Sequence, residues 1–402
     1  MKKTMTIEEK QQLDQGFEAA FGAAPQRYFS APGRTEIGGN HTDHQRGRVL
    51  AGAVDLDTRA AVRCNGSDVI RVLSKGYPMC GVSLDQLQPQ KSEINTTPAL
   101  IRGVAARFAE LGCRLEGFDA YVESTVLPGS GLSSSAAFEV LIGTIINHLF
   151  FEEKMTQPQI AMIGQYAENV YFGKPSGLMD QTASAVGGMV TIDFADKDNP
   201  DIQPVSFDFA ASGYALCIID SGADHADLTD EYAAITTELK AVCAHFGKEV
   251  LTQVPEADFY AAIPVLRKTC GDRAVMRGIH EYEENKRVTA QVAALQSGDF
   301  DGFLQLVKQS GYSSYMYLQN VIPAGYVQHQ DMAVALGLCE HYLQGTGAYR
   351  VHGGGFAGTV QAFVPLELLE KFRKGIEDAL GENACHVLSI RPEGGTELVL
   401  SE

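Results

Sequence analysis

Apolar positions along the chain follow two periods. Residues 6–22 place them at helical spacing behind an acidic first turn, which predicts an amphipathic surface helix. Further helices are predicted at 98–111, 134–150 and 157–172. In the last, Thr156 and Gln159 form a capping box, Pro158 sits in the first turn, and Ile160, Ile163, Ala167 and Val170 make the buried stripe. Residues 27–37 and 48–64 instead alternate apolar with polar and are rich in Val and Leu. They read as strands on either side of the loop GGNHTDHQRG, and 69–75 has the same character.

Farther along, strand-like GGMVTIDF and PVSFDF flank a polar stretch, DKDNPD at 196–201, that reads equally as a domain linker or a hairpin turn. Placing the division there gives an N-terminal domain of residues 1–195 and a C-terminal domain of 196–402, each near the usual size of roughly 100–200 residues. The second half reads as a strand at 214–222, helical patterns from 228 to 346, and a strand, glycine loop and strand in AYRVHGGGFAGTVQAFVP. A helix at 366–380 and a short strand pair close the chain. Strands mixed with helix pairs, without regular βαβ alternation, predict an α+β fold.

Composition narrows the function. At 45% hydrophobic residues the chain can bury a core, and 32 basic against 50 acidic residues give a formal charge of −18. Such a surface argues against nucleic acid or an anionic membrane as partner. No obligate protein partner is evident. The eight cysteines are scattered without a C-x-x-C pair, which suits reduced thiols in a cytoplasm. MKKTMTIEEKQQLDQ has no apolar stretch behind its lysines and does not read as a signal peptide. The run from Val140 to Phe151 is broken by Asn147 and His148, is too short for a bilayer, and reads as a buried helix.

Candidate chemistry concentrates in LPGSGLSSSAAFEV, residues 127–140. Gly129, Ser130 and Gly131 form a loop that a ligand can approach closely, and Ser133, Ser134 and Ser135 occupy the cap and first turn of the helix behind it. The free amides and positive dipole end of that turn make an anion site. The bland reading is a glycine turn before a well-capped helix. No Gly-Lys-Ser/Thr follows, so it is not a P-loop. The second candidate is SAPGRTEIGGNHTDHQRGRVL, residues 30–50. His41, Asp43 and His44 invite a zinc reading, but no further ligands stand at recognisable spacing. Arg34, Asn40, His41 and Asp43 together supply the convergent donors and acceptors that a hydroxyl-bearing ligand needs.

These segments resemble the signatures of one family, the GHMP small-molecule kinases, in their galactokinase-like form. GLSSSA matches the second signature, Pro-x-x-x-Gly-Leu-x-Ser-Ser-Ala. Gly33, Arg34, Gly39, His41, Thr42 and Asp43 match Gly-Arg-Val-Asn-Leu-Ile-Gly-Glu-His-Thr-Asp-Tyr-Asn, and HGGGFAGTV at 352–360 matches the third, glycine-rich signature with one alanine, Ala357. Between them, AENVYFGKPSGLMDQTASAVGG and SGADHADLTDEY resemble the stretches around the family's catalytic aspartate and substrate tyrosine.

The resemblance implies a two-domain fold with the active site in the cleft, ATP as cosubstrate, magnesium, and phosphorylation of the anomeric hydroxyl of galactose or a galacto-configured relative. It implies Asp180 as catalytic base with Arg34 as its partner, and Ser135 and Glu168 as magnesium ligands. ATP would meet Gly129, Ser130, Gly131, Leu132, Ser133, Ser134 and Ser135; the sugar would meet Asn40, His41, Thr42, Asp43 and Tyr232. As an α-helical residue Glu168 would lie about 100° from its helix's buried stripe and so reach a cleft. The departures concern the sugar: Asn40 replaces the signature's glutamate, and His44-Gln45 replaces Tyr-Asn. Plant galacturonate kinases also lack that glutamate and carry His-Gln, so a hexuronate kinase is the enzyme alternative, and a catalytically silent sugar sensor is the alternative of another class. The presence of Arg34, Ser135, Glu168 and Asp180 argues against the sensor.

Overall fold

The structure, a computed structural model, describes residues 3–126, 131–174, 176–197, 199–223 and 228–401. The chain opens with β1 (Thr4–Met5) and α1 (Ile7–Phe21), which is closed by the capping box of Thr6 and Glu9 and ended by Gly22. A large sheet is laid down by β2 (Arg27–Gly38), β3 (Arg48–Cys64), β4 (Val69–Ser74), β5 (Cys80–Ser83) and, after α2 (Thr97–Glu110), β6 (Phe118–Ser124). Helices α3 (Ser134–Phe150), α4 (Gln157–Tyr166) and α5 (Met179–Val186) come next, and the hairpin β7 (Met189–Asp193) and β8 (Asp201–Val205) extends the same sheet. At 17 residues β3 is long enough for two partners on one edge: residues 48–52 pair with β7 and 58–64 with β6, while β2 runs along the other. Helices α2 to α5 bury one face around Phe29, Val62, Ile101, Phe108, Val140 and Ile145, and α1 lays Leu13 and Phe17 on the other.

The second half contributes β9 (Tyr214–Asp220), α6 (Thr229–His245), α7 (Glu256–Thr269), α8 (Asp272–Ser297), α9 (Phe300–Ser313), α10 (Asp331–Leu343), β10 (Ala348–His352), β11 (Thr359–Pro365), α11 (Leu369–Leu380) and β12 (Cys385–Leu388). Its antiparallel sheet has the order β10-β11-β9-β12. The period of two on β9 explains how this sheet is sandwiched. Ala215, Cys217 and Ile219 cluster with α10 and α11, whereas Leu216 and Ile218 cluster with α8 and α9 and meet Ile37, Leu50 and Val54 of the large sheet. An apolar core therefore joins the two halves beneath the cleft.

One open reading is decided and two expectations need correction. Of linker and hairpin, the strands on either side of the polar stretch form the hairpin, since Met189 pairs with Val205 and Asp193 with Asp201. The division at 195/196 thus falls inside one sheet, and the chain crosses to the other sheet between Val205 and Tyr214. The helix predicted over 157–172 is α-helical only to Tyr166; Ala167–Phe172 is a π turn, whose extra residue rotates the side chains beyond it around the helix axis. Val170, expected in the buried stripe, is 47% exposed, and Tyr171 is buried instead. The closing strands do not pair with each other: β12 pairs with β9, β13 (Thr396–Glu397) with β2 and β14 (Val399–Leu400) with β1. All eight cysteines are free, and no helix among the described residues is long and apolar enough to cross a membrane.

Candidate active site

Arg34 on β2 meets Asp180 in the first turn of α5. Its Nε donates to Asp180 Oδ1 at 2.7 Å and a terminal N–H donates to the Gly131 carbonyl. Ser133 Oγ donates to Asp180 Oδ2, also at 2.7 Å. The arginine side chain is 9% exposed and the aspartate 25%, so the pair opens to the cleft on the carboxylate side. Burial pushes the Asp180 carboxyl up, but the Arg34 guanidinium and then the Ser133 hydroxyl outweigh it and hold it below the usual range. Burial likewise pulls Arg34 down, and Asp180 more than reverses it. Asp180 is therefore ionised at neutral pH.

The start of α3 differs from an ordinary serine cap. Ser133 occupies the cap position at φ 56°, and no side chain caps the helix. Its hydroxyl serves Asp180, and that of Ser135 donates to Glu168 Oε1 at 3.2 Å. Without a side-chain cap, the positive end of the helix stays open to a ligand. Gly131 sits at φ 69°, and a Cβ there would lie 2.9 Å from Thr359 Oγ1, so the loop can pass only as glycine. Leu132 is buried, and its carbonyl accepts from the Arg34 amide at 3.0 Å. Gly129 and Ser130 lie outside the described residues. Ser134 and Ser135 also line a cavity of about 740 Å³ walled by Asp57, Tyr77, Leu100, Phe138 and Phe172. Sequence reasoning missed this cavity because its walls are far apart in the chain and carry no motif.

Glu168 is 2% exposed, not a surface residue. The π turn carries it into the site, where it accepts from Ser135, from Lys174 Nζ at 3.1 Å, from Ser176 Oγ at 2.6 Å and from Gln181 Nε2 at 2.8 Å. A hydroxyl and a carboxylate side by side are hard donors of the kind that suit magnesium. Among the described residues no three His, Cys, Asp or Glu side chains gather as a metal site, so magnesium here would rest on these two and on waters and phosphate.

The signature loop alternates. Asn40 and Thr42 are fully buried, while His41 and Asp43 are partly exposed. Asp43 faces the segment before Asp180: a Cβ on Gly177 would lie 2.2 Å from Asp43 Oδ2. His41 Nε2 is 3.0 Å from the Gly354 carbonyl, and burial with the neighbouring His44 pushes its pKa down to about 3, so the ring is neutral and donates. Tyr232 OH donates to the Gly355 carbonyl at 2.7 Å, beside the same glycine-rich loop. Asn40 and Thr42 depart from their expected roles as sugar contacts. The Thr42 hydroxyl lies within hydrogen-bond reach of the Gly39 and Arg48 carbonyls. The Asn40 amide donates to Glu36 at 3.0 Å and to Gly353 O at 2.7 Å, and its oxygen accepts from Ser314 and Asn320. Its side-chain N–H groups are thus already committed and are not donors for a uronate carboxylate. Glu36 itself was overlooked, although one signal was present: the signature has asparagine at that place.

This fold and this site define a small-molecule kinase of the GHMP class. Residues 99–188 match the GHMP kinases N terminal domain, and residues 15–64 match the galactokinase galactose-binding signature. A galactokinase of Streptomyces coelicolor is 32% identical over 384 residues, covering 94% of this chain and 96% of that protein. The chain belongs to the galactokinase family and is a sugar phosphotransferase of its type. Among solved structures, Lactococcus lactis galactokinase complexed with galactose superposes with a TM-score of 0.80 at 24% identity, covering 96% of this chain and 99% of that one. Methanococcus jannaschii mevalonate kinase superposes with a TM-score of 0.64 at 13% identity, covering 92% and 99%.

The burial of Thr42 has a measurable consequence. Thr42→Val removes a buried hydroxyl whose one proton goes to the Gly39 or the Arg48 carbonyl, and should lower stability by about 1–3 kcal/mol while leaving the sugar KM nearly unchanged. Denaturant midpoints and initial rates check it. A raised KM at unchanged stability would mean that the hydroxyl touches substrate after all.

Proposed function

We propose that this chain transfers the terminal phosphoryl group of ATP to the anomeric hydroxyl of galactose. The observation that carries the reading is the triad of Arg34, Asp180 and Ser133 at the open start of α3, with Asp43 and His41 alongside. Phosphoryl transfer asks a protein mainly to position two substrates and to stabilise charge on the moving group. The nucleotide's base and ribose fit the cavity beside Ser134 and Ser135, which leads its phosphates to the first turn of α3. Asp180, ionised and unable to move far from Arg34, accepts the proton of the sugar hydroxyl as the bond to phosphorus forms. Arg34 faces both that carboxylate and the phosphoryl group in flight. Ser135 and Glu168 would hold magnesium, which neutralises phosphate charge when bound. His41, Asp43 and Tyr232 supply a neutral donor, an acceptor and a hydroxyl for the sugar. The free cysteines support a reducing, cytoplasmic setting.

Asp180→Asn keeps size but loses proton acceptance and should lower turnover by about 10²–10⁴-fold with modest change in either KM. Turnover near that of the wild type would remove the base assignment. Ser135→Ala combined with Glu168→Gln should raise the magnesium requirement before it alters sugar affinity; superimposable magnesium titrations would show that these residues are not ligands. The sugar is tested by ADP release from galactose, galacturonate and other hexoses, with the product's phosphate located by NMR. Galactose should give the highest kcat/KM and a 1-phosphate. A higher value for galacturonate, or phosphate on another carbon, contradicts the proposal.

A further inference from the structure

Behind the sugar loop lies a buried ionic cluster that the phosphoryl-transfer chemistry does not use. Glu36 pairs with Arg350, and Glu284 pairs with Arg287, giving two charges of each sign; Glu36, Glu284 and Arg350 are nearly or fully buried. Asn40 touches both acids, with its side-chain amide 3.0 Å from Glu36 Oε1 and its backbone amide 3.4 Å from Glu284 Oε1. The signature Gly-Arg-Val-Asn-Leu-Ile-Gly-Glu-His sets asparagine where this chain has Glu36 and glutamate where it has Asn40. The two residue types have changed places across four positions, so the number of acids beside Arg350 is preserved.

We propose that Glu36 and Asn40 are a reciprocal exchange, and that Asn40 thereby acts as a positioning residue that latches the sugar loop to the glycine-rich loop. In the exchanged arrangement the carboxylate lies inside the molecule against Arg350, and the wall of the sugar pocket before His41 is uncharged. The amide that takes the carboxylate's place joins three segments: it donates to Gly353 O, and its oxygen accepts from Ser314 Oγ at 3.1 Å and Asn320 Nδ2 at 2.8 Å. The next residue, His41, reaches Gly354 O of the same glycine loop, so the latch fixes the height at which His41 and Asp43 meet a ligand. Only the exchange as a pair keeps the charges balanced. Glutamate at 40 with Glu36 in place sets three acids against two arginines, whereas asparagine at 36 alone leaves Arg350, whose Nε and Nη1 have no partner among the described residues, without its acid.

The inference rests on galactose as the sugar and is tested by a cycle of four proteins: wild type, Glu36→Asn, Asn40→Glu and the double variant. Thermal midpoint and galactose affinity are measured, the latter by calorimetry without nucleotide. Each single variant should lose roughly tenfold or more in affinity and some thermal stability, and the double variant should recover to within about threefold, as groups in direct contact couple on this scale. Losses that simply add would overturn the exchange. Single variants that lose stability but bind galactose as the wild type does would overturn the positioning role. Should Asn40→Glu not fold, Asn40→Ser takes its place: it removes the latch without adding charge, and unchanged galactose affinity in it would overturn the proposal. A wild type that binds no galactose refutes the proposed substrate instead, and the thermal cycle then decides the exchange alone.

Discussion

The contact on which the active site depends is the guanidinium of Arg34. It holds Asp180 at 2.7 Å, takes the Gly131 carbonyl from the loop before α3, and sits within the field of Glu36 and Asp43. One buried cation thereby ties β2, α3 and α5 together at the mouth of the cleft. A buried ion pair is weak evidence for stability, because desolvation cancels much of its attraction. What the pair provides is an ionised carboxylate with one open side, beside a positive group that cannot lose its charge. Ser133 completes the arrangement by serving Asp180 and not the helix, which leaves the positive end of α3 uncapped.

Around that contact the two halves meet in two different ways. Below, the joint is apolar, with Leu216 and Ile218 of β9 packed against Ile37, Leu50 and Val54. Above, it is polar: His352 of β10 lies within 3.1 Å of Thr35 Oγ1, and Gln361 of β11 donates to Thr35 and to the Glu36 carbonyl. The apolar layer gives the joint its affinity, since each fully buried Leu or Ile is worth about 1.5–3 kcal/mol, while the polar layer fixes its geometry. Strand β2 runs through both, which is how one strand can carry Arg34 and begin the sugar loop.

Much of this was readable from the amino-acid sequence, and the failures have physical causes. Helix α1 was legible from its apolar spacing and acidic first turn, and α4 from a local cap, since Thr156 and Gln159 lie three residues apart. The π turn after Tyr166 escaped because periodicity assumes a constant turn, and one inserted residue exchanged Val170 and Tyr171 between surface and core. Of the residues that the motifs single out, Arg34 meets Asp180 and Ser135 meets Glu168. Motif matching could not tell which residues of the sugar loop face inward, since that is set by the αL conformation at His41 and by Thr42 bonding back to the strand ends. The cavity beside α3 and the Glu36–Arg350 pair join residues as much as 314 positions apart, where no local pattern exists.

Proton transfer to Asp180 requires the acceptor hydroxyl to sit within hydrogen-bond reach of its carboxylate. A crystal structure of the chain with galactose and a non-hydrolysable ATP analogue measures this directly. It should place the anomeric oxygen about 2.6–3.2 Å from an Asp180 carboxylate oxygen and in line with the terminal phosphorus, with Arg34 still bound to that carboxylate. A ternary complex in which the anomeric oxygen lies beyond hydrogen-bond reach of Asp180, or another hydroxyl takes its place, would contradict it.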